Sequence, residues 1–250
     1  MSDSRPPFDA ADPLATMRAQ YQRLLDRLEA NEREFRRLGR AVWNVQEDER
    51  RRLARELHDG LGQNLTALKQ LLARLHDDLP VELVAARERL AEALALCGGT
   101  LEDTRELSRL LRPPILDDLG LEPALRWLAR SLEGGRMHVV VEIEPLPTLD
   151  GELQTLLFRV AQEGLNNAAR HADASSALLR LVARGDELQL QVIDDGHGCD
   201  PEVAMRSGGS GLGGMRERLR LYGGRMELRS APGQGARLRA VVPLAPVSKA

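Results

Sequence analysis

From Leu14 onward an apolar side chain returns at alternating steps of three and four: Leu14, Met17, Tyr21, Leu24 and Leu28, then, after Asn31, Phe35, Leu38, Val42 and Val45. A stripe of this period cannot be laid along a strand. Sustained for so long, it commits the segment to a helix whose seam another helix covers, a coiled coil. Asn31 is the one polar seam residue, of the kind that fixes register and strand number at a cost in stability. A strict continuation would bring Glu49 and Arg52 to the seam. Instead the stripe resumes at Leu53, Leu57, Leu61 and Leu65 in steps of four, before returning to Leu68, Leu72, Leu75 and Leu79. Such an inserted step is a stutter, which locally unwinds a coiled coil. It lies just upstream of His58.

Pro80 ends this helix, and a second stripe follows through Leu83, Leu90, Leu94, Cys97, Leu101, Thr104, Ser108 and Leu111. Two such helices joined by a short turn make an antiparallel hairpin with too little apolar surface for a closed core. Dimerisation into a four-helix bundle solves that. Arg112-Pro113-Pro114 stops the second helix, because two prolines remove donors and restrict the residue before them. Beyond it the texture changes to mixed α and β. A short helix is expected over 121–132, closed by Gly134-Gly135, and a long one from an Asp150 cap to His171. A third helix is expected from Gly211 to Tyr222. Strands are expected over 137–144, 177–183 and 188–193, with a hairpin of 226–230 and 236–243. This order fits a two-layer α/β sandwich. The expected organisation is a disordered lead over 1–13, a coiled coil over 14–45, a helical dimerisation unit over 46–112 and an α/β unit over 113–250.

Composition narrows the class. With 42% apolar and 29% charged residues, the 250-residue chain can bury two modest cores, and its net charge of -3 comes without a basic stripe of the nucleic-acid-binding kind. Two isolated cysteines, Cys97 and Cys199, suit neither a disulfide framework nor a metal site. No apolar run reaches the length of a membrane span and the first residues lack a signal-peptide pattern, so a cytoplasmic protein is expected.

Four short motifs carry chemistry. The first is Glu56-Leu57-His58-Asp59-Gly60-Leu61-Gly62-Gln63. His58 follows a seam residue and therefore sits at the rim of the bundle, where a ring nitrogen is reachable from outside. A carboxylate holding the other N–H would fix the tautomer for nucleophilic attack, and Asp59 is placed to do so. Gln63 lies one turn beyond Asp59, where its amide could orient a water. In the second motif, Glu163-Gly164-Leu165-Asn166-Asn167, Glu163 and Asn167 share a helix face, and one amide oxygen is enough for a Mg²⁺ that keeps most of its waters. The third, Asp194-Asp195-Gly196-His197-Gly198, puts a carboxylate at a strand end beside glycines that let a ligand approach the backbone. In the fourth, Gly209, Gly211, Leu212 and Gly213 lead into a helix whose N-terminus can hold phosphate oxygens. Residues 199–208 between these loops read as a lid hinged at Gly208-Gly209. His76, His138 and His197 read as surface or turn histidines.

In this order the motifs resemble the H, N, G1 and G2 boxes of two-component sensor histidine kinases, in the nitrate-sensor and desaturase-sensor subfamily with its His-Asp-x-x-x-Gln signature. The resemblance covers roughly residues 45 to 243. It implies a helical dimerisation and phosphotransfer (DHp) domain followed by the GHKL, or Bergerat, ATP-binding fold shared with Hsp90, gyrase and MutL. It also implies autophosphorylation of His58 from Mg-ATP and transfer to an aspartate of a response regulator's receiver domain. Asp59 takes an acid-base role and Gln63 supports dephosphorylation of the regulator. Glu163 acts near the γ-phosphate, and Asn167 is the Mg²⁺ ligand. Arg170 contacts phosphate and His171 flanks the nucleotide. Asp194, with Gly196 and Gly198, receives adenine, and Gly209, Gly211, Leu212 and Gly213 hold the phosphates. The expected assembly is a homodimer, with a separate sensor protein as a candidate partner of the N-terminal helix. The alternatives are a stand-alone ATPase or serine kinase of the same nucleotide fold, which leaves His58 and Gln63 unexplained, and a non-catalytic dimeric adaptor.

Overall fold

A computed structural model of the chain describes residues 13–133, 137–206 and 211–244. Residues 1–12 of the lead expected over 1–13, Gly134-Gly135 and Gly208-Gly209 lie outside them, whereas Pro13, assigned to that lead, already belongs to a helix. The long heptad stripe forms α1, Pro13–Arg55, and α2 follows as Gln63–Asp78. Between them Glu56–Gly62 is a π-helical segment with helical dihedrals at both joints, so the rod is continuous. This is where the structure departs from the plain helix expected around His58. In an α-helix, side chains spaced by four overshoot one another by about 40° per step. A π turn takes more than four residues, so the helix is locally widened within the run of steps of four from Leu53 to Leu65. The widened turn lies inside the His58 motif itself.

Helix α3, Val84–Leu111, returns along α2 and buries Cys97, Leu101, Thr104 and Ser108, the four consecutive members of its stripe. Arg87 ties the turn by donating to the carbonyls of His76 and Leu79 at 2.8 Å each. The Ser108 hydroxyl donates 2.9 Å to the carbonyl of Ala54 on α1. Leu61, Leu68, Leu71, Leu75, Leu96, Leu107 and Leu110 stay exposed on the single chain. A short helix not foreseen, α4 (Pro114–Asp118), begins immediately after the extended Pro113, because a proline is well suited to a first helical turn.

The remaining chain forms α5 (Leu121–Glu133), β1 (His138–Ile143), α6 (Gly151–His171), β2 (Ser176–Arg184), β3 (Glu187–Asp194), α7 (Pro201–Arg206), α8 (Leu212–Leu221), β4 (Arg225–Ser230) and β5 (Ala236–Pro243). One five-stranded sheet runs β1-β2-β3-β5-β4. Only β1 and β2 are parallel, joined across α6, and the other neighbours are antiparallel. On β3 the alternate residues Leu188, Leu190 and Val192 are buried, as are Leu238, Ala240 and Val242 on β5. That alternation leaves one face for helices to cover. Leu125 of α5, Leu156, Leu157, Phe158 and Leu165 of α6, and Met215 and Leu219 of α8 fill the layer between. The two-layer α/β sandwich is thus present, preceded by a helical rod and hairpin. Trp43 of α1 joins the same core cluster.

Candidate functional site

Asp150 starts α6 as an N-cap, accepting from the Leu153 N–H at 2.7 Å. The helix is seated closely on the sheet because of Gly164, where a Cβ would come within 3.0 Å of Val192 Cγ2 and 3.1 Å of Leu238 Cδ2. Glu163, Asn167 and His171 follow at steps of four along one side, and all three line a cavity of about 520 Å³. Asp194, Gly198, Gly211 and Leu212 line it as well, so the helical pair and both glycine loops meet at one place.

The loop after β3 is held from three sides. Asp194 Oδ1 accepts from the N–H of Gly196 at 3.0 Å and of Ala236 at 3.2 Å, which fixes its carboxylate at the cavity edge. His197 N–H donates 2.9 Å to the Ala172 carbonyl at the end of α6, and the His197 carbonyl accepts from Gly233 in the β4–β5 turn at 2.6 Å. Gly198 has φ +67°, and a Cβ there would collide with the carbonyl of Ala231. No other residue type sits there without strain. The exposed neighbour Asp195 accepts from the backbone and hydroxyls of Ser175 and Ser176 at 2.6 to 2.8 Å, and those bonds hold its carboxyl well below the usual carboxylate range. On the opposite wall, Glu163 lies against the start of α8. A Cβ on Gly211 would stand 2.5 Å from Glu163 Oε1.

Gly196 is buried behind the loop and Gly213 is half-buried with open space around it; neither lines the cavity. Arg170 is exposed near the end of α6 and does not line it either. Gly209 lies outside the described residues. The structure adds His197, Cys199, Ala204 and Leu228 to the lining. His197 had a legible signal, its place between the two glycines of the third motif. Leu228 is signalled only by the alternation of β4.

His58 is exposed on the π segment and lines two further cavities. One, of about 310 Å³, it shares with Gln63, Thr66, Gln70, Thr104 and Arg105. The other, of about 340 Å³, it shares with Asp59, Arg51, Arg55, Arg112 and Asp117. Gln63 and Asp59 thus approach His58 from different sides. Among the described residues neither His58 nor Asp59 makes a side-chain hydrogen bond or ion pair, which leaves the imidazole free to meet another group. No residue lines both a His58 cavity and the α6 cavity.

Two family descriptions match the chain. One described as "Histidine kinase" (HisKA_3) matches residues 49–116, and one described as "Histidine kinase-, DNA gyrase B-, and HSP90-like ATPase" (HATPase_c) matches residues 152–246. The chain is similar to the sensor histidine kinase MctS of Rhizobium johnstonii, with 36% identity over 82% of this chain and 45% of that protein. It is also similar to the signal transduction histidine-protein kinase/phosphatase UhpB of Salmonella typhimurium, with 37% identity over 77% of this chain and 38% of that one. The chain therefore spans less than half the length of either relative. A solved histidine kinase domain from Erythrobacter litoralis aligns over 73% of this chain and 94% of its own, with 20% identity and a TM-score of 0.44.

Proposed function

The chain belongs to the histidine kinases of the HisKA_3 type, and on that premise we propose that it phosphorylates its own His58 from Mg-ATP and passes the phosphoryl group to an aspartate of a response regulator's receiver domain. The observation that carries this reading is the meeting of Glu163, Asn167, Asp194, Gly198 and Gly211 around one cavity, with His58 exposed on a different element.

The residues fit a nucleotide. The cavity's size lies in the ordinary range for small-molecule sites. Val192, Leu228 and Leu238 give it an apolar floor for a purine, and Asp194 keeps Oδ2 to accept from an exocyclic amino group. Gly211 and the first N–H groups of α8 suit phosphate oxygens. Among the described residues no three His, Cys, Asp or Glu side chains are arranged to hold a metal by themselves. A Mg²⁺ here would rest on the Asn167 amide oxygen together with the phosphates and water, and it would supply positive charge against those phosphates.

At the acceptor, a neutral His58 ring nitrogen attacks the γ-phosphorus. The N–P bond forms as the bond to the β-phosphate oxygen breaks and ADP leaves. The proton on the other ring nitrogen passes to Asp59, an acid-base step within reach of neighbouring side chains on a helix. Glu163, beside Gly211, positions the γ-phosphate end. Gln63, on the other side of His58, orients a water for dephosphorylating the regulator.

The apolar side chains left exposed on α1 and on the hairpin support a homodimer, with two hairpins making a four-helix bundle and two α1 helices a coiled coil. Among the described residues no helix is long and apolar enough to cross a membrane. A cytoplasmic kinase, informed through α1 by a separate sensor protein, is the proposed setting. Labelling with γ-labelled ATP tests the reading. The parent should take up acid-labile, base-stable label and His58→Gln none, with ATP affinity equal in the two. Label retained by His58→Gln would remove His58 from its role.

A further inference from the structure

The two cavities beside His58 differ in what they can hold. An imidazole carries one nitrogen on each side of the ring, so when Asp59 takes the proton from one, the phosphoryl group is borne by the other and points away from Asp59. Asp59 lines the cavity formed with Arg51, Arg55 and Asp117. The phosphoryl group therefore comes to rest in the other one, of about 310 Å³, which His58 shares with Gln63, Thr66, Gln70, Thr104 and Arg105.

That second cavity is polar and has a single charged wall. The Thr66 hydroxyl is committed to the Gly62 carbonyl at 2.7 Å, and the Thr104 hydroxyl to the Thr100 carbonyl at 2.8 Å. Among the described residues Gln63 and Gln70 make no side-chain hydrogen bond, which leaves both amides to a ligand. Arg105 of α3 is the one cation among the lining residues. Its side chain is half-exposed and stands 3.6 Å from Glu102, a loose surface ion pair that costs little to give up. Glu102 keeps Arg109 at 3.3 Å when Arg105 turns away. The cavity also stays open in a dimer. Counting 100° per residue, Thr66 and Gln70 point about 160° away from the exposed Leu68, and Arg105 about 160° away from the exposed Leu107. The polar wall thus faces away from the leucines offered to a second hairpin.

We propose that Arg105 holds the phosphoryl group on phosphorylated His58, its guanidinium donating to two phosphoryl oxygens while the Gln63 and Gln70 amides complete the cradle. A phosphoryl group brings close to two negative charges and three acceptor oxygens, and the forked donors of an arginine match two of them at once. On the opposite side of the ring Asp117 already occupies Arg51 at 3.1 Å and Arg112 at 2.7 Å. This role rests on His58 being the acceptor with Asp59 as its proton acceptor, and it adds where the phosphoryl group sits and what stabilises it against return to ADP.

The test uses the full chain, phosphorylated with Mg-ATP, and follows the second ionisation of the phosphoryl group by phosphorus NMR. A cation in contact favours the dianion, so this ionisation in the folded parent should lie about one pH unit below that of the same phosphoprotein unfolded in urea. Arg105→Gln should remove the difference and Arg105→Lys should keep part of it. Arg55→Gln, on the Asp59 side, should leave it intact. One unit corresponds to a tenfold stabilisation of the dianion. Arg105→Gln should accordingly lower, by about tenfold, the ratio of phosphorylated to free His58 reached at a fixed ratio of ATP to ADP, with ATP affinity unchanged. An ionisation equal in the folded and the unfolded parent, or one moved by Arg55→Gln and untouched by Arg105→Gln, overturns the role of Arg105 and leaves the acceptor reading standing. A parent that takes up no base-stable label on His58 overturns both.

Discussion

Replacing Asp194 by Asn separates the carboxylate's two duties. Its Oδ1 accepts from Gly196 and Ala236, and an amide oxygen can do the same, so the loop should keep both bonds. What changes is the other position, where an N–H₂ donor takes the place of an acceptor and faces the adenine amino group donor to donor. A hydrogen bond involving a charged partner is worth about 1.5 to 3 kcal/mol. At 1.4 kcal/mol per decade, ATP should bind about 10- to 100-fold more weakly. The thermal midpoint should move little. Calorimetric titration with ATP and with ITP, whose ring has an oxygen in place of the amino group, isolates the cause. The parent should disfavour ITP by a similar factor, and Asp194→Asn should lose that preference. If the variant bound ATP within about twofold of the parent, or if ATP and ITP were equivalent for the parent, Asp194 would not be the adenine acceptor.

Three further outcomes follow from named contacts. Gln63→Ala should keep the autophosphorylation rate and slow dephosphorylation of the regulator, and equal dephosphorylation rates would exclude the proposed water-orienting role. Gly198→Ala forces a side chain into φ +67° against the Ala231 carbonyl and should cost about 2 kcal/mol or more, lowering the thermal midpoint by about 4 to 8 °C; an unchanged midpoint would contradict the close approach. Asp195 has a carboxyl held below its ordinary value, so its contribution to stability is complete above about pH 4, the unfolded value, and fades as the pH falls toward the lower folded one. Urea midpoints of Asp195→Ala and the parent should therefore differ at pH 7 and converge in acid, and a gap that is constant with pH would mean the Ser175 and Ser176 bonds do not hold the anion.

What the sequence made legible were elements whose signal is local. The period of Leu14 to Val45, the Asp150 cap and the alternation on β3 and β5 each state their own geometry, and the structure places a helix, a capped helix and half-buried strands there. The second, third and fourth motifs supplied much of the polar and glycine lining of the α6 cavity, including Glu163, Asn167, Asp194, Gly198 and Gly211, because each is a short stretch with a backbone requirement. The gaps arise where a residue's role depends on a distant partner. Gln46 to Arg52 reads as a break in the seam because it has no apolar residue. Its Glu47 is nevertheless buried, on the opposite face, by an arginine 112 residues away. Among the arginines of α6, Arg170 drew attention through its place in the motif, whereas Arg159 is the one buried, and nothing local distinguishes them. The π segment was visible only as spacing, since steps of four are compatible with either a stutter or a wider turn. The helix at Pro114 was masked by the stop signal of the same two prolines.

The most direct measurement of the central claim is the location of the phosphoryl group itself. The full chain, incubated with Mg-ATP and digested under alkaline conditions that preserve phosphohistidine, should yield one modified peptide by mass spectrometry, with the added group on His58. A phosphoryl group found instead on a serine, a threonine or an aspartate, or on His76, His138, His171 or His197, would contradict the account.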